Sequence, residues 1–394
     1  MSHKKLKMGK TIYLDNAATT PVDKKVVEAM LPYFSEKFGN ASSQHTLGLE
    51  AKRELERSRD IIAHSINAKS DEIFFTSGGT EANNFAIKGA IWKLKEQGKK
   101  HIIISKIEHD CVLNSCKWLE KQGCRVTYLD VDGYGFIDLE QFKREITPET
   151  AIVSIIHANN EIGTIQNLDE IGKICREKNV LFHTDACQSY TKTELNVKKQ
   201  NLDLVTLNAH KIHGPKGVGA LYIRREIQNK IAPLLHGGGH EKGLRSGTEN
   251  IPGIVGFAKA VKLADKKHIK HMEKLRDGLM REILKIPDTK LNGPSPETRK
   301  RLCNNINISF MNIEGEALGG YLDAYGIASS TGSACSSHSL EPSHVLKAIG
   351  LNDLEANSSI RLSLSRDNTE EEINHVLKVL PKIVGKLRKI SPFK

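Results

Sequence analysis

Asn208-Ala209-His210-Lys211-Ile212-His213-Gly214-Pro215-Lys216-Gly217-Val218-Gly219 is the stretch on which the rest of the chain turns. An apolar-rich run, residues 202–207, delivers it, and a second, residues 218–223, carries the chain away. The quoted stretch holds two histidines, two lysines, a proline and three glycines, the composition of a tight, pre-shaped loop rather than a solvated bulge. A lysine becomes a nucleophile when desolvation or a cationic neighbour lowers its pKa from about 10.4 and exposes the neutral amine. Lys211 is singled out on that ground, against the plain alternative of a surface lysine in a turn.

Upstream, strands and helices alternate. The pattern predicts a strand over 12–15, a turn of small residues from Asn16 to Pro21, and helices over 24–37 and 47–66. A buried strand over 73–77 runs into Gly78-Gly79-Thr80-Glu81 and a helix over 82–97. Strand, glycine turn and helix N-terminus can bind a phosphate on backbone N–H groups, although no standard glycine-rich fingerprint is present. A tight turn with Thr80 as a simple N-cap remains the other reading.

Further strands are expected over 101–105, 125–130, 151–158 and 180–184, with helices over 109–122, 139–145 and 168–178. Such alternation means an α/β fold with a largely parallel sheet wrapped by helices, whose ligand sits beyond the carboxyl ends of the strands. His109, Asn160, Asp185, Gln188 and Lys211 all fall at or just after such ends. Beyond residue 223 the pattern changes to a long glycine-rich segment, 236–250, then helices over 252–284. A polar, proline-bearing turn follows over 287–301, with strands over 303–310 and 359–365 and a closing helix over 370–388.

Composition bounds the alternatives. A chain of 394 residues suggests one large domain and a smaller one. No apolar run is long enough to span a membrane, and the basic residues 1–10 lead into no apolar segment, so a frayed lead-in is expected rather than a secretory signal. The net charge of +11 is spread through many helices without interleaved aromatics, which argues against nucleic acid as a partner. Seven cysteines, an odd number with no C-x-x-C spacing, point to free thiols in a reducing cytoplasm and to no metal site. Most are small apolar core residues. Cys335 differs, because Ser329-Ser330-Thr331-Gly332-Ser333-Ala334-Cys335-Ser336-Ser337-His338-Ser339 is almost entirely small and polar, a setting for an accessible, reactive thiol.

A carboxylate at one strand end, a lysine in the loop after the next, a phosphate cradle and a ring to stack suit one cofactor. Pyridoxal 5'-phosphate needs a Schiff-base lysine and an acidic partner for its pyridine nitrogen. Asp185 is placed to hold that nitrogen protonated and His109 to lie over the ring. Taken singly, Asp185 capping a loop and His109 capping a helix are the plainer readings.

In those residues and the motifs around them, the chain resembles the NifS/IscS cysteine desulfurases, in the group with a long cysteine-bearing loop. The resemblance runs from Tyr13-Leu14-Asp15-Asn16-Ala17-Ala18-Thr19-Thr20-Pro21 to Leu387-Arg388. It is carried best by Phe75-Thr76-Ser77-Gly78-Gly79-Thr80-Glu81, His183-Thr184-Asp185-Ala186-Cys187-Gln188, His210-Lys211-Ile212-His213-Gly214-Pro215-Lys216-Gly217 and Ser333-Ala334-Cys335-Ser336. It implies the aspartate-aminotransferase-like fold type I of pyridoxal-phosphate transferases. A large cofactor-binding domain would span residues 15–262, and a smaller α+β domain 1–14 and 263–394, with the cysteine loop at about 328–342. It implies a homodimer that converts L-cysteine to L-alanine and leaves a persulfide on Cys335. An iron–sulfur scaffold of the IscU/NifU kind, or another sulfur acceptor, would receive that sulfur.

By the same resemblance Lys211 matches the Schiff-base lysine, Asp185 the pyridine-nitrogen partner, Gln188 the residue bonding the ring hydroxyl and His109 the stacking acid/base. Gly79, Thr80 and His210 match phosphate ligands, and Thr248 the ligand reaching in from the other subunit. Asn160 and Arg361 match the residues holding the substrate carboxylate. The sequence departs from the family in three places. Asn208 stands where a serine hydroxyl usually meets the phosphate, and its amide is the candidate substitute. Cys187 stands where threonine or valine is common; it is read as a gap-filler, with a second thiol near the cofactor as the alternative. The tail after Ser391 is shorter than in relatives whose tail helps dock a scaffold. A selenocysteine lyase or an aminotransferase is the rival enzyme reading, and a non-enzymatic basic binding protein the rival outside enzymes.

Overall fold

Runs such as Ile102-Ile103-Ile104 or Leu204-Val205 are apolar on both faces, the mark of strands covered by helices on each side. The computed structural model describes residues 11–331 and 342–392 and folds these runs into a central sheet. In chain order the elements begin with β1 (Ile12–Tyr13), α1 (Lys24–Met30), α2 (Pro32–Ser35), α3 (Thr46–Ser65), β2 (Ile73–Thr76), α4 (Gly79–Leu94), β3 (His101–Ser105) and α5 (Asp110–Glu120). They continue with β4 (Arg125–Leu129), α6 (Leu139–Glu145), β5 (Thr150–Ser154), α7 (Leu168–Glu177), β6 (Leu181–Asp185), β7 (Leu204–Asn208), β8 (Gly219–Ile223) and α8 (Ile251–Lys262). The remainder is α9 (Lys266–Ile283), β9 (Thr289–Leu291), β10 (Asn305–Phe310), α10 (Gly315–Ala324), β11 (Ile327–Ala328), α11 (His344–Ala348), α12 (Asp353–Asn357), β12 (Ser359–Ser363) and α13 (Glu370–Ile390).

Seven strands form the main sheet in the order β2-β8-β7-β6-β5-β3-β4, parallel throughout except for β8, which runs against both its neighbours. The fold is therefore the mostly parallel α/β sandwich expected. Side chains alternate across it. Phe75, Ile103, Val153, Phe182 and Val205 meet α3, α7 and α8 on one face, while Phe74, Ile102, Ile104, Ile152 and Leu221 meet α4 and α5 on the other. From β3 the chain crosses outward to β4, and from β5 it crosses the opposite way to β6. The carboxyl ends of β3 and β5 thus flank a topological switch point, where a crevice opens.

The smaller sheet, β12-β10-β9, is antiparallel and packs on α9, α10 and α13 through Leu279, Ile308, Leu322, Leu362, Val376 and Leu380. β1 pairs with β11 beside it, and Leu14 belongs to the same core. Where the two bodies meet, Val345, Leu346 and Ile349 of the α11 segment pack on Ile107, Ile156 and Ile162, next to the crevice.

Three local differences from the sequence reading have plain causes. The helix expected over 24–37 breaks at Leu31, because Pro32 lacks an N–H to continue the first helix and instead opens the second. Helix α4 starts at Gly79 rather than residue 82. Gly78 holds φ +155° and ψ −176°, a conformation open essentially to glycine alone, and Glu81 reaches back to accept from Ser77 N at 2.9 Å. Thr80 is therefore a residue of the first turn and not the N-cap. Finally, α10, α11, α12 and β11 occupy stretches to which the sequence reading assigned no element.

Candidate active site

The lysine loop is shaped by the turn that follows β1. Thr20 donates from both N and Oγ1 to the His210 carbonyl (2.9 and 2.8 Å), and His213 N donates back to Thr20 Oγ1 at 2.8 Å. His213 sits at φ +63°, and a Cβ on Gly214 would come within 2.8 Å of the Ala209 carbonyl, so only glycine fits there without a shift of the backbone. Lys211 is half-buried and makes no hydrogen bond or ion pair with the described residues. It lines a shallow cleft together with Asn16, Lys192, His213, Asn304 and Arg366; this cleft lies toward the small sheet and is not walled by Asp185 or His109.

Asp185 ends β6 and is 4% exposed. Burial pushes its carboxyl up. The electrostatic influence of His109 and hydrogen bonds from Cys187 and Asn83 outweigh that and hold it below the usual range, so it stays ionised. The contacts are Cys187 N to Oδ1 at 2.8 Å and Asn83 Nδ2 to Oδ2 at 2.7 Å. Gln188, one turn on, is buried and donates to the Ala17 carbonyl at 2.8 Å. His109 is the N-cap of α5, with Nδ1 accepting from Cys111 N at 3.2 Å. It is most of the way buried; burial first and Lys211 second push its imidazole below the ordinary value.

Asn208 ends β7, with its amide 3.7 Å from where a Cβ on Gly79 would stand. Its Oδ1 is buried without a partner among the described residues. A side-chain amide turns through 180° at little cost, so the residue can present its nitrogen to an anion instead. Gly79 packs on Cys187, whose Sγ would lie 2.6 Å from an added Cβ. That contact explains both the glycine and the buried thiol. Burial pushes the Cys187 thiol well up, so it stays protonated. Thr80 is exposed in the first turn of α4, where unpaired N–H groups face outward. His210 is half-buried with Nδ1 3.1 Å from Thr19 Oγ1, and burial holds its imidazole down at about 4.

Arg361, on β12, joins the two sheets. Its NH1 donates to the Asn160 carbonyl at 3.2 Å and NH2 to Asp15 Oδ1 at 2.9 Å, while Nε is buried without a partner among the described residues. Asn160 and Arg361 are thus brought together from opposite parts of the chain. The cysteine-bearing segment is anchored at the same place. Ser330 exchanges backbone hydrogen bonds with Arg361 at 3.2 and 2.6 Å, and Ser343 donates to Glu161 Oε2 at 2.5 Å. Cys335 itself lies outside the described residues. Thr248 is exposed on the glycine-rich segment and is not gathered into this group.

Sequence reasoning overlooked Asn83, Cys111, Asp15 and Glu161. A signal existed for one of them: Asn83 is a fully buried amide on the apolar face of a helix, where a polar side chain needs a partner.

With this geometry in hand, the comparisons are specific. Residues 12–376 match the Aminotransferase class-V family model. The chain belongs to that family, and its relatives within it are cysteine desulfurases. It is 51% identical over 386 residues to cysteine desulfurase IscS of Methanosarcina thermophila, covering 97% of this chain and 94% of that protein. The corresponding protein of Dictyoglomus turgidum is 51% identical over 391 residues, covering 98% of each. Among solved structures it is similar to a NifS-like protein (TM-score 0.89, 40% identity, 96% of this chain and all of that one). It is also similar to SspA in complex with cysteine (TM-score 0.82, 39% identity, 91% of this chain and all of that one).

Proposed function

We propose that the protein is a pyridoxal-phosphate-dependent cysteine desulfurase that takes L-cysteine to L-alanine and passes the sulfur to Cys335. One observation carries the reading. At the strand ends of a class-V aminotransferase sheet, an ionised buried carboxylate, Asp185, and a half-buried lysine, Lys211, that makes no hydrogen bond or ion pair with the described residues both act electrostatically on the His109 imidazole.

The donor set fits the cofactor. Asp185 would meet the pyridine nitrogen, Gln188 the ring hydroxyl and His109 the ring face. Gly79, Thr80, Asn208 and His210 would meet the phosphate, with Thr248 supplied by the partner in a homodimer. When bound, the cofactor's ring supplies an electron sink for the substrate's α-carbon. Lys211 Nζ is the base that takes the α-proton. Arg361 Nε and the Asn160 side chain hold the substrate carboxylate, which sets the α-carbon before the lysine. Asp15 keeps the guanidinium turned toward the site. The Cys335 thiolate takes the substrate sulfur. The anchoring of its segment at Arg361 and Glu161 supports a reach to the same crevice.

Dimerisation is part of the proposal. Leu31, Phe34 and Phe38 are 58%, 63% and 65% exposed around α2, apolar side chains that a partner subunit would cover. The division into domains at residues 15–262 and 1–14 with 263–394 belongs to it as well, supported by the separate cores and by the α8–α9 junction. No helix among the described residues is long and apolar enough to cross a membrane. The six described cysteines are all free, which supports a reducing cytoplasm. An iron–sulfur scaffold is the proposed recipient of the sulfur. The test is release of alanine and sulfide from L-cysteine with no keto acid added; an absolute keto-acid requirement would instead identify an aminotransferase.

A further inference from the structure

Asn83, Cys111 and His109 form a directed chain of hydrogen bonds that ends on Asp185. Asn83 must turn its nitrogen toward Asp185, because an amide oxygen facing an ionised carboxylate 2.7 Å away is repelled. The other hydrogen on that nitrogen points at Cys111 Sγ, 3.1 Å away. The sulfur accepts there, and its S–H is left to donate to His109 Nδ1, also at 3.1 Å. The same Nδ1 already accepts the backbone N–H of Cys111 at 3.2 Å. A backbone N–H cannot reverse its role. Nδ1 therefore carries no proton, and the single proton of a neutral imidazole is on Nε2.

We propose that Asn83 and Cys111 are positioning residues that lock His109 as the neutral Nε2–H tautomer. The ring then enters the reaction as a fixed hydrogen-bond donor, and proton abstraction is left to Lys211. An Nε2 that already bears a proton has no lone pair with which to take another. Protonating Nδ1 instead would break the cap of α5 and set two donors against each other. The charged and titratable groups around the ring agree with this. Burial and Lys211, from the loop after β7, push the imidazole down, and His344 of α11 adds to them; Asp185 of β6 and Asp110 of α5 oppose them, and the net direction is down. Glu108, the preceding residue, is buried with its own carboxyl raised to about 8, so it adds no full negative charge at neutral pH. The inference rests on the reading of His109, Asp185 and Lys211 as one site.

The test is made first on protein freed of cofactor, so that its outcome does not depend on turnover. With ¹⁵N-labelled histidine, the His109 signals are assigned by their loss in His109→Gln. The wild type is expected to show an unprotonated Nδ1 and a protonated Nε2, unchanged between about pH 5.5 and 8. Cys111→Ala removes one of the two donors, and His109 should begin to titrate toward the ordinary value of about 6.5. Cys111→Ser keeps a donor and should restore the locked state. In the loaded enzyme, the acid limb of kcat/KM against pH should move up in Cys111→Ala and return in Cys111→Ser. A protonated Nδ1 in the wild type overturns the proposal, as does a Cys111→Ala protein whose His109 behaves like wild type. If the tautomer is as stated but L-cysteine yields no alanine, it is the functional reading that fails.

Discussion

At the scale of single residues, chemistry depends on which groups are ionised and which are free. Lys211 makes no hydrogen bond or ion pair with the described residues, which suits an amine reserved for another partner. Lys211→Ala is expected to remove both the visible band of the lysine-bound cofactor and all turnover, with an unchanged far-ultraviolet spectrum. Borohydride reduction and peptide mapping check the assignment, and label on another lysine refutes it. Cys187 presents the complementary case. Its thiol is 6% exposed, packed on Gly79 and held protonated by burial, so it lacks the thiolate that attack on sulfur needs. Brief exposure of the wild type to L-cysteine without reductant should add sulfur to the Cys335 peptide alone. Sulfur on the Cys187 peptide that persists in Cys335→Ser would make Cys187 the acceptor.

Among the elements, the glycine-rich segment after residue 236 departs most from expectation. Its composition suggested a stretch unable to pack by itself, yet it is pinned by Arg245, which donates to Glu81 Oε1 at 2.8 Å, and by Glu241. Glu241 is buried and accepts from Arg59 NH1 and NH2 at 2.7 and 2.8 Å and from Phe75 N at 2.8 Å. To reach this position Glu241 and Lys242 take φ values of +45° and +56°. Arg59 in turn holds the Ile73 carbonyl, so the pair stitches α3 and β2 to the segment that carries Thr248. Removing one partner of a buried ion pair strands the other charge, which costs about 3–5 kcal/mol. Glu241→Ala is therefore expected to lower unfolding free energy by about that amount, read from urea denaturation, and to weaken cofactor retention. A loss under about 1 kcal/mol, the range of exposed pairs, would show the contact to be incidental.

For the whole molecule, two properties follow from burial. The proposed dimer completes the phosphate site with Thr248, so dissociation and cofactor loss should occur together on dilution; a stable monomer with full cofactor occupancy excludes this. The second property is the dependence of stability on pH. Burial pushes the imidazoles of His157 and His183 down, to about 3 and about 4. Their folded values lie below the unfolded one, so the unfolded chain binds more protons and stability falls as pH drops below about 6.5. Between pH 6.5 and 5 each contributes a loss of about 2 kcal/mol. Glu108 has the opposite sign: burial raises its carboxyl to about 8, the folded state keeps the extra proton, and stability falls as pH rises toward that value. From pH 6.5 to 8 that loss is also about 2 kcal/mol. Below pH 6.5 these histidines, joined by His101, His210 and His213, each also held at about 4, outweigh the single carboxyl, so the denaturation midpoint should fall toward acid pH. Glu108→Gln should abolish the alkaline decline and leave the acid one.

The alternation of apolar runs and glycine turns by itself determined the parallel sheet, the strand ends and the candidates gathered there. A strand buried on both faces must be apolar, and a loop beyond it is free to carry chemistry. Lys211, Asp185, His109 and Asn160 were legible for that reason, and the family motifs for a stronger one. Their partners were not legible, because a contact across the fold leaves no local trace. Asn83 sits in a helix and Cys111 among helix residues, and neither stretch states that they meet between Asp185 and His109. Arg361 and Asp15 are held together only after β12 and β1 have been placed beside the same crevice. The burial that fixes which carboxyl is charged and which nitrogen of His109 is free comes from the neighbours each residue acquires on folding, and only the tertiary structure supplies those.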